Sequence, residues 1–156
     1  MSLKTKTRDA LTRFADSPGV MAVEHEGVRL VCEWNAVDSI ACSFDSLTLE
    51  SDVLADADVD RLRGIAEGLS RRLSYLLEPI AVLEADSQEA AVLIRSQPPG
   101  ADAESVAYYE LMLRRGGSAS LRRFRKDSSG PRLPIACQVT LEVFERLVID
   151  LDPTNF

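Results

Sequence analysis

The stretch that decides the fold runs from Met21 to Trp34 and reads MAVEHEGVRLVCEW. In each half, apolar residues alternate with polar ones, which is typical of a strand with one buried face. The dipeptide Glu26-Gly27 lies between the halves and predicts a two-residue turn. The stretch therefore predicts a β-hairpin.

The turn also fixes which residues of the hairpin face each other. It places two apolar pairs on one face, Val23 with Leu30 and Met21 with Cys32. On the other face Glu24 lies opposite Arg29, where opposite charges stabilise a sheet modestly. A single register thus gives both an apolar face and a charge pair.

A third strand follows from about Ser39. Its apolar residues occupy even positions at first and odd positions later. The first set is Ile40, Cys42 and Phe44, and the second is Leu47 and Leu49. The phase changes after Asp45-Ser46, which predicts a β-bulge or a short bend there.

Three segments have the spacing of amphipathic helices. Residues 3–15 carry an apolar stripe and end before Ser17-Pro18-Gly19. A long central helix begins near Val59, after an aspartate-rich segment that can supply its cap, and runs to Glu78-Pro79. The last helix begins after Thr140 and ends at Asp152-Pro153.

The second half of the chain contains four further predicted strands in two hairpins: residues 80–85 with 90–96, and residues 106–115 with 118–126. Gly116-Gly117 predicts a two-residue turn in the second hairpin. The predicted element order is α-β-β-β-α-β-β-β-β-α. Tight turns join antiparallel strands, so we expect one α+β domain over residues 1–156, with the long central helix packed on an antiparallel sheet.

Composition narrows the class of protein. Of the 156 residues, 46% are apolar and 28% charged, which argues against a disordered chain. The formal net charge of −7 disfavours general binding to nucleic acids or anionic membranes. Residues 1–14 have no uninterrupted apolar run like that of a secretory signal. Three cysteines, Cys32, Cys42 and Cys137, predict buried reduced thiols, and together these features predict a cytoplasmic protein.

The residues that carry chemistry form no recognisable catalytic pattern. His25 is the only histidine, so any triad or metal site that needs two is excluded. No nucleophile elbow or phosphate-binding loop occurs. Five aspartates, Asp45, Asp52, Asp56, Asp58 and Asp60, do not have the spacing of a calcium loop. We predict no catalytic residue, no metal site and no cofactor.

One basic segment is the candidate binding surface. Between Arg114 and Arg132 the chain has only one acid, Asp127. The predicted turn pairs Glu110 with Arg123 and Tyr108 with Arg125. The other pairs it predicts are Tyr109 with Phe124 and Leu111 with Arg122. Four cations are then left without an acidic or aromatic residue opposite them: Arg115, Arg122, Lys126 and Arg132. The candidate residues are Tyr108, Glu110, Arg115, Arg122, Arg123, Arg125 and Lys126.

Three interpretations of that segment stay open. The arginines can keep an edge hairpin soluble, bind an acidic partner or an acidic segment of the chain itself, or recognise phosphate or RNA. The last interpretation lacks an aromatic RNA-binding signature.

The element order, the size and the acidity resemble those of the class I type III secretion chaperones. The resemblance extends over most of the chain, which has one strand more in its second half. It implies a small, acidic, cytoplasmic dimer with apolar grooves for an extended partner segment, and no enzymatic activity. Roadblock-type adaptor domains, which are also α+β dimers, are a looser match with fewer strands before the central helix.

The leading hypothesis is a non-enzymatic, homodimeric protein-interaction module. Its interface would use an open sheet edge or the central helix, where Gly64 and Gly68 permit close packing of another backbone. The alternative is an enzyme or small-ligand-binding protein, with a pocket between the sheet and the central helix and the residues Tyr108, Glu110, Arg123 and His25.

Overall fold

The computed structural model describes residues 1–13, 19–102 and 104–156. Within them lie three α-helices, which are α1 (Leu3–Arg13), α2 (Val59–Arg72) and α3 (Leu141–Asp150). The first five strands are β1 (Gly19–His25), β2 (Val28–Val37), β3 (Ala41–Ser51), β4 (Ile80–Asp86) and β5 (Ala91–Ser96). The others are β6 (Gly100–Ala101), β7 (Ser105–Arg114), β8 (Ser118–Asp127), β9 (Arg132–Ile135) and β10 (Cys137–Thr140). All pairings are antiparallel, so the predicted α+β class is confirmed.

The hairpin of β1 and β2 has the predicted register. Val23 pairs with Leu30 and Met21 with Cys32, and all four side chains are buried. Both turn residues have positive φ, 49° at Glu26 and 81° at Gly27, which is the geometry of a type I′ turn. Glu24 and Arg29 form the expected exposed pair, 3.7 Å apart.

The predicted bulge lies at Asp45. Strands β2 and β3 shift register on either side of Trp34, so Asn35 and Asp45 are each left out of the pairing. The Asn35 amide donates a hydrogen bond of 2.9 Å to Asp45. The prediction for Ile40 is wrong: this side chain is exposed, because residue 40 precedes β3 in a turn held by the Asp38 carboxylate.

One sheet contains all ten strands. Its main path is β1-β2-β3-β8-β7-β5-β4. The first part of β3 pairs with β10 and the second part with β8, and β8 in turn leaves β3 to pair with β9. The continuous segment of β9 and β10 therefore fills a fork between β3 and β8.

The pairings align one apolar face across the sheet. A typical row runs through Val23, Leu30, Leu49, Ala119, Leu113 and Val92. The buried apolar side chains of all three helices belong to the same core as this row. The opposite face, which we call the open face, has a central row of Ala22, Val31, Thr48, Ser120, Met112 and Leu93, and these side chains are exposed or half-buried.

Two details of the predicted order are corrected. Strands β6, β9 and β10 were not predicted, because each has only two to four residues, too few for a period-two pattern. The central helix is also shorter than predicted and ends at Arg72. Leu73 leaves helical geometry at φ −82° and ψ 37°, and the chain turns after it. Pro79, directly before β4, then accepts a hydrogen bond from the Gln97 amide.

The predicted helix starts are confirmed where the structure describes them. Asp58 caps α2 by accepting a hydrogen bond from the Arg61 amide, at 2.8 Å, and Thr140 caps α3. In α1 the buried residues are Leu3, Thr7 and Leu11, as its stripe predicts. Phe14 and the predicted stop at Ser17-Pro18 lie outside the described residues.

Candidate binding site on the open face

The turn between β7 and β8 has three residues, Arg115 to Gly117, and not the two that the sequence predicts. Arg114 pairs with Ser118 across it. Gly117 has φ +93° and its amide donates to the Arg114 carbonyl. A Cβ atom at Gly117 would lie 1.9 Å from the Ser51 carbonyl oxygen, so only glycine fits. The Ser51 amide fixes this approach by donating to the Gly117 carbonyl at 2.9 Å.

The third turn residue shifts the register by one, and the predicted pairs are therefore wrong. The observed pairs are Glu110 with Arg122, Tyr109 with Arg123, Tyr108 with Phe124, and Leu111 with Leu121. Because side chains alternate between faces, a one-residue shift changes which residues meet. Arg123 faces the core, whereas Glu110 and Tyr108 face the open side.

On the core side, Arg123 forms a bidentate ion pair with Glu78. Its two terminal nitrogens lie 2.8 and 3.2 Å from the two carboxylate oxygens. The side chains are only 10% and 9% exposed. The Arg123 guanidinium also lies 4.3 Å from the centre of the Tyr109 ring. Each oxygen of the Glu78 carboxylate thus accepts one hydrogen bond from Arg123.

Further contacts fix this ion pair in place. The Tyr109 amide donates to the Ser96 hydroxyl at 2.7 Å, and that hydroxyl lies 3.5 Å from a Glu78 oxygen. Burial raises the pKa of Tyr109 to about 12, although the neighbouring Arg123 opposes the rise. We call Glu78, Ser96, Tyr109 and Arg123 the buried cluster, and its closed geometry suits a structural role.

On the open side, an arginine guanidinium lies over each of two aromatic rings. Tyr108 and Phe124 pack with ring centres 5.9 Å apart. The Arg95 guanidinium lies 4.9 Å from the centre of Tyr108, and that of Arg132 lies 4.0 Å from the centre of Phe124. Such contacts place a guanidinium over a ring without satisfying its N–H donors.

Both arginines share one carboxylate oxygen. Oε2 of Glu110 accepts from Arg95 at 3.1 Å and from Arg132 at 2.6 Å. The Tyr108 hydroxyl, followed by Glu110, raises the pKa of Arg132, so this guanidinium stays charged. We call Arg95, Tyr108, Glu110, Phe124 and Arg132 the open-face cluster. Its two guanidiniums exceed its one carboxylate, so it retains a positive charge.

The other predicted binding residues differ in their position relative to this cluster. Arg122 and Lys126 are exposed and share the open side with Phe124, two residues away on β8. Arg125 is exposed and lies 3.6 Å from Asp127. Arg115 lies in the turn at the far end of the hairpin. The structure therefore groups Tyr108, Glu110, Arg122 and Lys126, and it places Arg123 apart, in the buried cluster.

Three members of the open-face cluster, Arg95, Phe124 and Arg132, were not among the residues predicted from the sequence; Phe124 was expected to pair with Tyr109 and instead pairs with Tyr108. Arg95 stands within the apolar run of β5, and only the pairing of β5 with β7 brings it to Glu110. Arg132 was predicted to have no partner, yet it binds Glu110 because β9 pairs with β8. The one available signal was a charged residue inside an apolar strand, since such a residue has a partner or faces out of the core.

The residues of the alternative pocket are not brought together. His25 ends β1 and lies 3.7 Å from Glu26, in the first hairpin. Arg123 lies on the core side of the sheet, and Tyr108 and Glu110 lie on the open side. Between α2 and the sheet, Leu62, Ala66 and Leu69 are fully buried.

The glycines of α2 have no neighbour within the described part of the chain. A Cβ atom at Gly64 or at Gly68 would meet nothing within 4 Å. Close packing of another backbone of the same chain, one reason to expect glycine here, is therefore excluded for the described residues. A contact with a second copy stays a prediction.

The three cysteines are buried, as predicted. Burial raises the pKa of Cys42 and of Cys137 to about 12, and it raises that of Cys32 further. The thiolate, which is the nucleophile, is therefore scarce at neutral pH.

No family model, curated protein or solved structure matches the chain. Among the residues that the structure describes, no helix is long and apolar enough to cross a membrane.

Proposed function

We propose that this protein is a non-enzymatic protein-interaction module, chaperone-like or adaptor-like, that works in the cytoplasm as a homodimer. The observation that carries the proposal is the open-face cluster: a surface with two ring-stacked arginines and one shared carboxylate. Arginine and aromatic residues are the types that most often dominate the energy of a protein interface.

The charge around the cluster supports an acidic partner. The open sides of β5, β7, β8 and β9 carry five cations, which are Arg95, Arg114, Arg122, Lys126 and Arg132. They carry a single anion, Glu110. This local excess is opposite in sign to the net charge of −7, and a concentrated positive patch steers acidic segments to it.

The sheet edges suit an extended partner segment. β1 pairs only with β2, and β4 pairs only with β5, so one side of each strand lacks a partner strand among the described residues. A segment added to the free edge of β4 would lie one strand away from β5, which carries Arg95 on the open face. Main-chain hydrogen bonds would supply affinity there, and the cluster would supply specificity.

Display of random peptides tests the binding surface. The wild type and a variant with Arg13→Glu and Arg29→Glu, at exposed positions outside α2 and the cluster, should enrich acidic peptides. A second variant with Arg122→Glu and Lys126→Glu should lose them. The same peptides on all three proteins, or no enrichment on any, would contradict the proposal.

The homodimer is proposed to form through α2. Gly64 and Gly68 present an open strip on which a second α2 can approach closely, and an antiparallel crossing would place Asp60 near Arg71 of the other copy. Light scattering after size-exclusion chromatography should give a dimer for the wild type and a monomer for Gly68→Leu. A wild-type monomer, or a dimer unaffected by Gly68→Leu, would exclude this interface.

A further inference from the structure

We infer that the groove beside Arg95 binds an apolar side chain of an extended protein segment, next to an acidic residue whose carboxylate completes the hydrogen bonding of Arg95. The inference rests on the proposed function, since it names the chemistry of the partner at the same surface.

The groove has mostly apolar walls. Its volume is about 610 Å³, enough for one or two large side chains. It is lined by Leu83, Arg95, Ser96, Gln97, Pro98, Pro99, Val106 and Tyr108. Leu83 is 41% exposed, and burial against a partner would remove that surface from water.

Arg95 has donors that the described residues do not satisfy. Its Nε atom is buried and has no hydrogen-bond acceptor among them. Its one carboxylate contact, through Nη2, goes to an oxygen that Arg132 also uses. A buried charged donor without an acceptor is unfavourable. The Arg95 side chain as a whole is 32% exposed, so a rotation of the guanidinium would turn its Nε edge towards a second carboxylate, the acceptor that matches this edge best.

The position of the groove favours an extended segment. Leu83 is the extra residue of a bulge in β4, where the register shifts between Val82 and Glu84. β4 is the last strand of the sheet, so a segment can lie along it without displacing another strand. In an extended segment, side chains two residues apart point the same way, about 7 Å apart. One can therefore enter the groove while the other reaches Arg95.

The probe is a capped hexapeptide with leucine at its second position, glutamate at its fourth and serine elsewhere. One control peptide has glutamine in place of glutamate, and another has serine in place of leucine. We expect the glutamate peptide to shift the amide resonances of Val106 and Tyr108 in ¹⁵N-labelled protein. We expect each control peptide to bind at least about tenfold more weakly than the glutamate peptide.

The decisive variant is Arg95→Lys, which keeps the charge and removes the Nε donor and the planar fork. It should weaken the glutamate peptide about tenfold, whereas Arg29→Lys, on β2 of the same face, should leave its affinity unchanged. Thermal unfolding curves of both variants identify any loss of fold. Leu83→Ser, at an exposed position, tests the apolar half of the groove and should also weaken binding.

Three results would overturn the inference. They are equal binding of the glutamate and glutamine peptides, unchanged affinity in Arg95→Lys, and no shift at Val106 and Tyr108. A different result would contradict the proposed function. If acidic peptides from the display experiment depend on Arg122 and Lys126 but not on Arg95, the interaction module stands and only the groove is wrong.

Discussion

The β7–β8 hairpin carries an arginine–carboxylate–aromatic cluster on each of its faces, and the two clusters differ in closure. In the buried cluster, Arg123 meets Glu78 one to one through two hydrogen bonds, with both side chains about 10% exposed. In the open-face cluster, Arg95 and Arg132 compete for one oxygen of Glu110, and they are 32% and 44% exposed.

The difference shows how the same residue types serve two purposes. A closed pair in the core has no capacity left for a ligand, and breaking it leaves a charge without water or partner. In the open-face cluster Glu110 is also shielded, at 13% exposed, but solvent reaches both of its arginines and screens their charge. The remaining donors can then bind a carboxylate from outside.

The largest effect should come from opening the buried cluster. Arg123→Met leaves Glu78 buried without its partner, so we expect the free energy of unfolding to fall by about 3–5 kcal/mol. Urea denaturation measures this change. The double variant with Glu78→Leu should recover most of the loss, since it removes both charges. A loss below about 1 kcal/mol in Arg123→Met would remove the distinction between the clusters.

The next effect concerns the turn that assigns residues to the two faces. Gly117→Ala must place a Cβ atom against the Ser51 carbonyl at an unfavourable φ, so we expect a loss of more than about 1 kcal/mol. Gly116→Ala is the matched control, because its Cβ atom would meet nothing within 4 Å. Equal stability of the two variants would argue against the three-residue turn.

A smaller effect on stability should follow from disturbing the open-face cluster. Arg132→Gln leaves Glu110 paired with Arg95, and we expect the free energy of unfolding to change by less than about 1 kcal/mol. The same substitution should weaken binding of acidic peptides in the display experiment. If it destabilised the protein as much as Arg123→Met, the open-face cluster would be structural.

Gly68→Ala distinguishes an α2 whose glycines face solvent from an α2 whose glycines lie in a dimer contact. If Gly68 faces solvent in solution, alanine should stabilise the protein by about 0.5–1 kcal/mol, because glycine is a poor helix former. If Gly68 lies in the proposed dimer contact, alanine should instead weaken the dimer. Thermal unfolding at two protein concentrations distinguishes these outcomes.

The smallest effect should come from a surface pair between α1 and α3. The Arg8 guanidinium binds Glu145 through two hydrogen bonds and lowers the pKa of that carboxyl below its ordinary value of 4.5. A lowered carboxyl pKa stabilises the fold above the ordinary value, and the contribution is lost as pH falls through the lowered one. The stability difference between wild type and Arg8→Gln should therefore shrink from pH 5 towards pH 2. A constant difference would contradict the pairing.

Local patterns in the sequence predict the first hairpin, the bulge at Asp45 and the helix caps, because each depends on residues close together in the chain. The β7–β8 register could not be predicted, since Gly116-Gly117 fits both a two-residue and a three-residue turn. Contact of Gly117 with Ser51, which is distant in sequence, decides between them. Similarly, Glu78 and Arg95 reach their partners only through strand order, which no local pattern specifies.

The most direct test follows the Nε–H resonances of Arg95 and Arg123 while the glutamate peptide is titrated into ¹⁵N-labelled protein. We expect the Arg95 resonance to shift, because a second carboxylate comes to lie against the edge of its guanidinium. The Arg123 resonance should stay in place and be protected from the start, because its side chain is only 10% exposed. Equal shifts of the two resonances, or no shift at Arg95, would contradict the division of the hairpin into a structural face and a binding face.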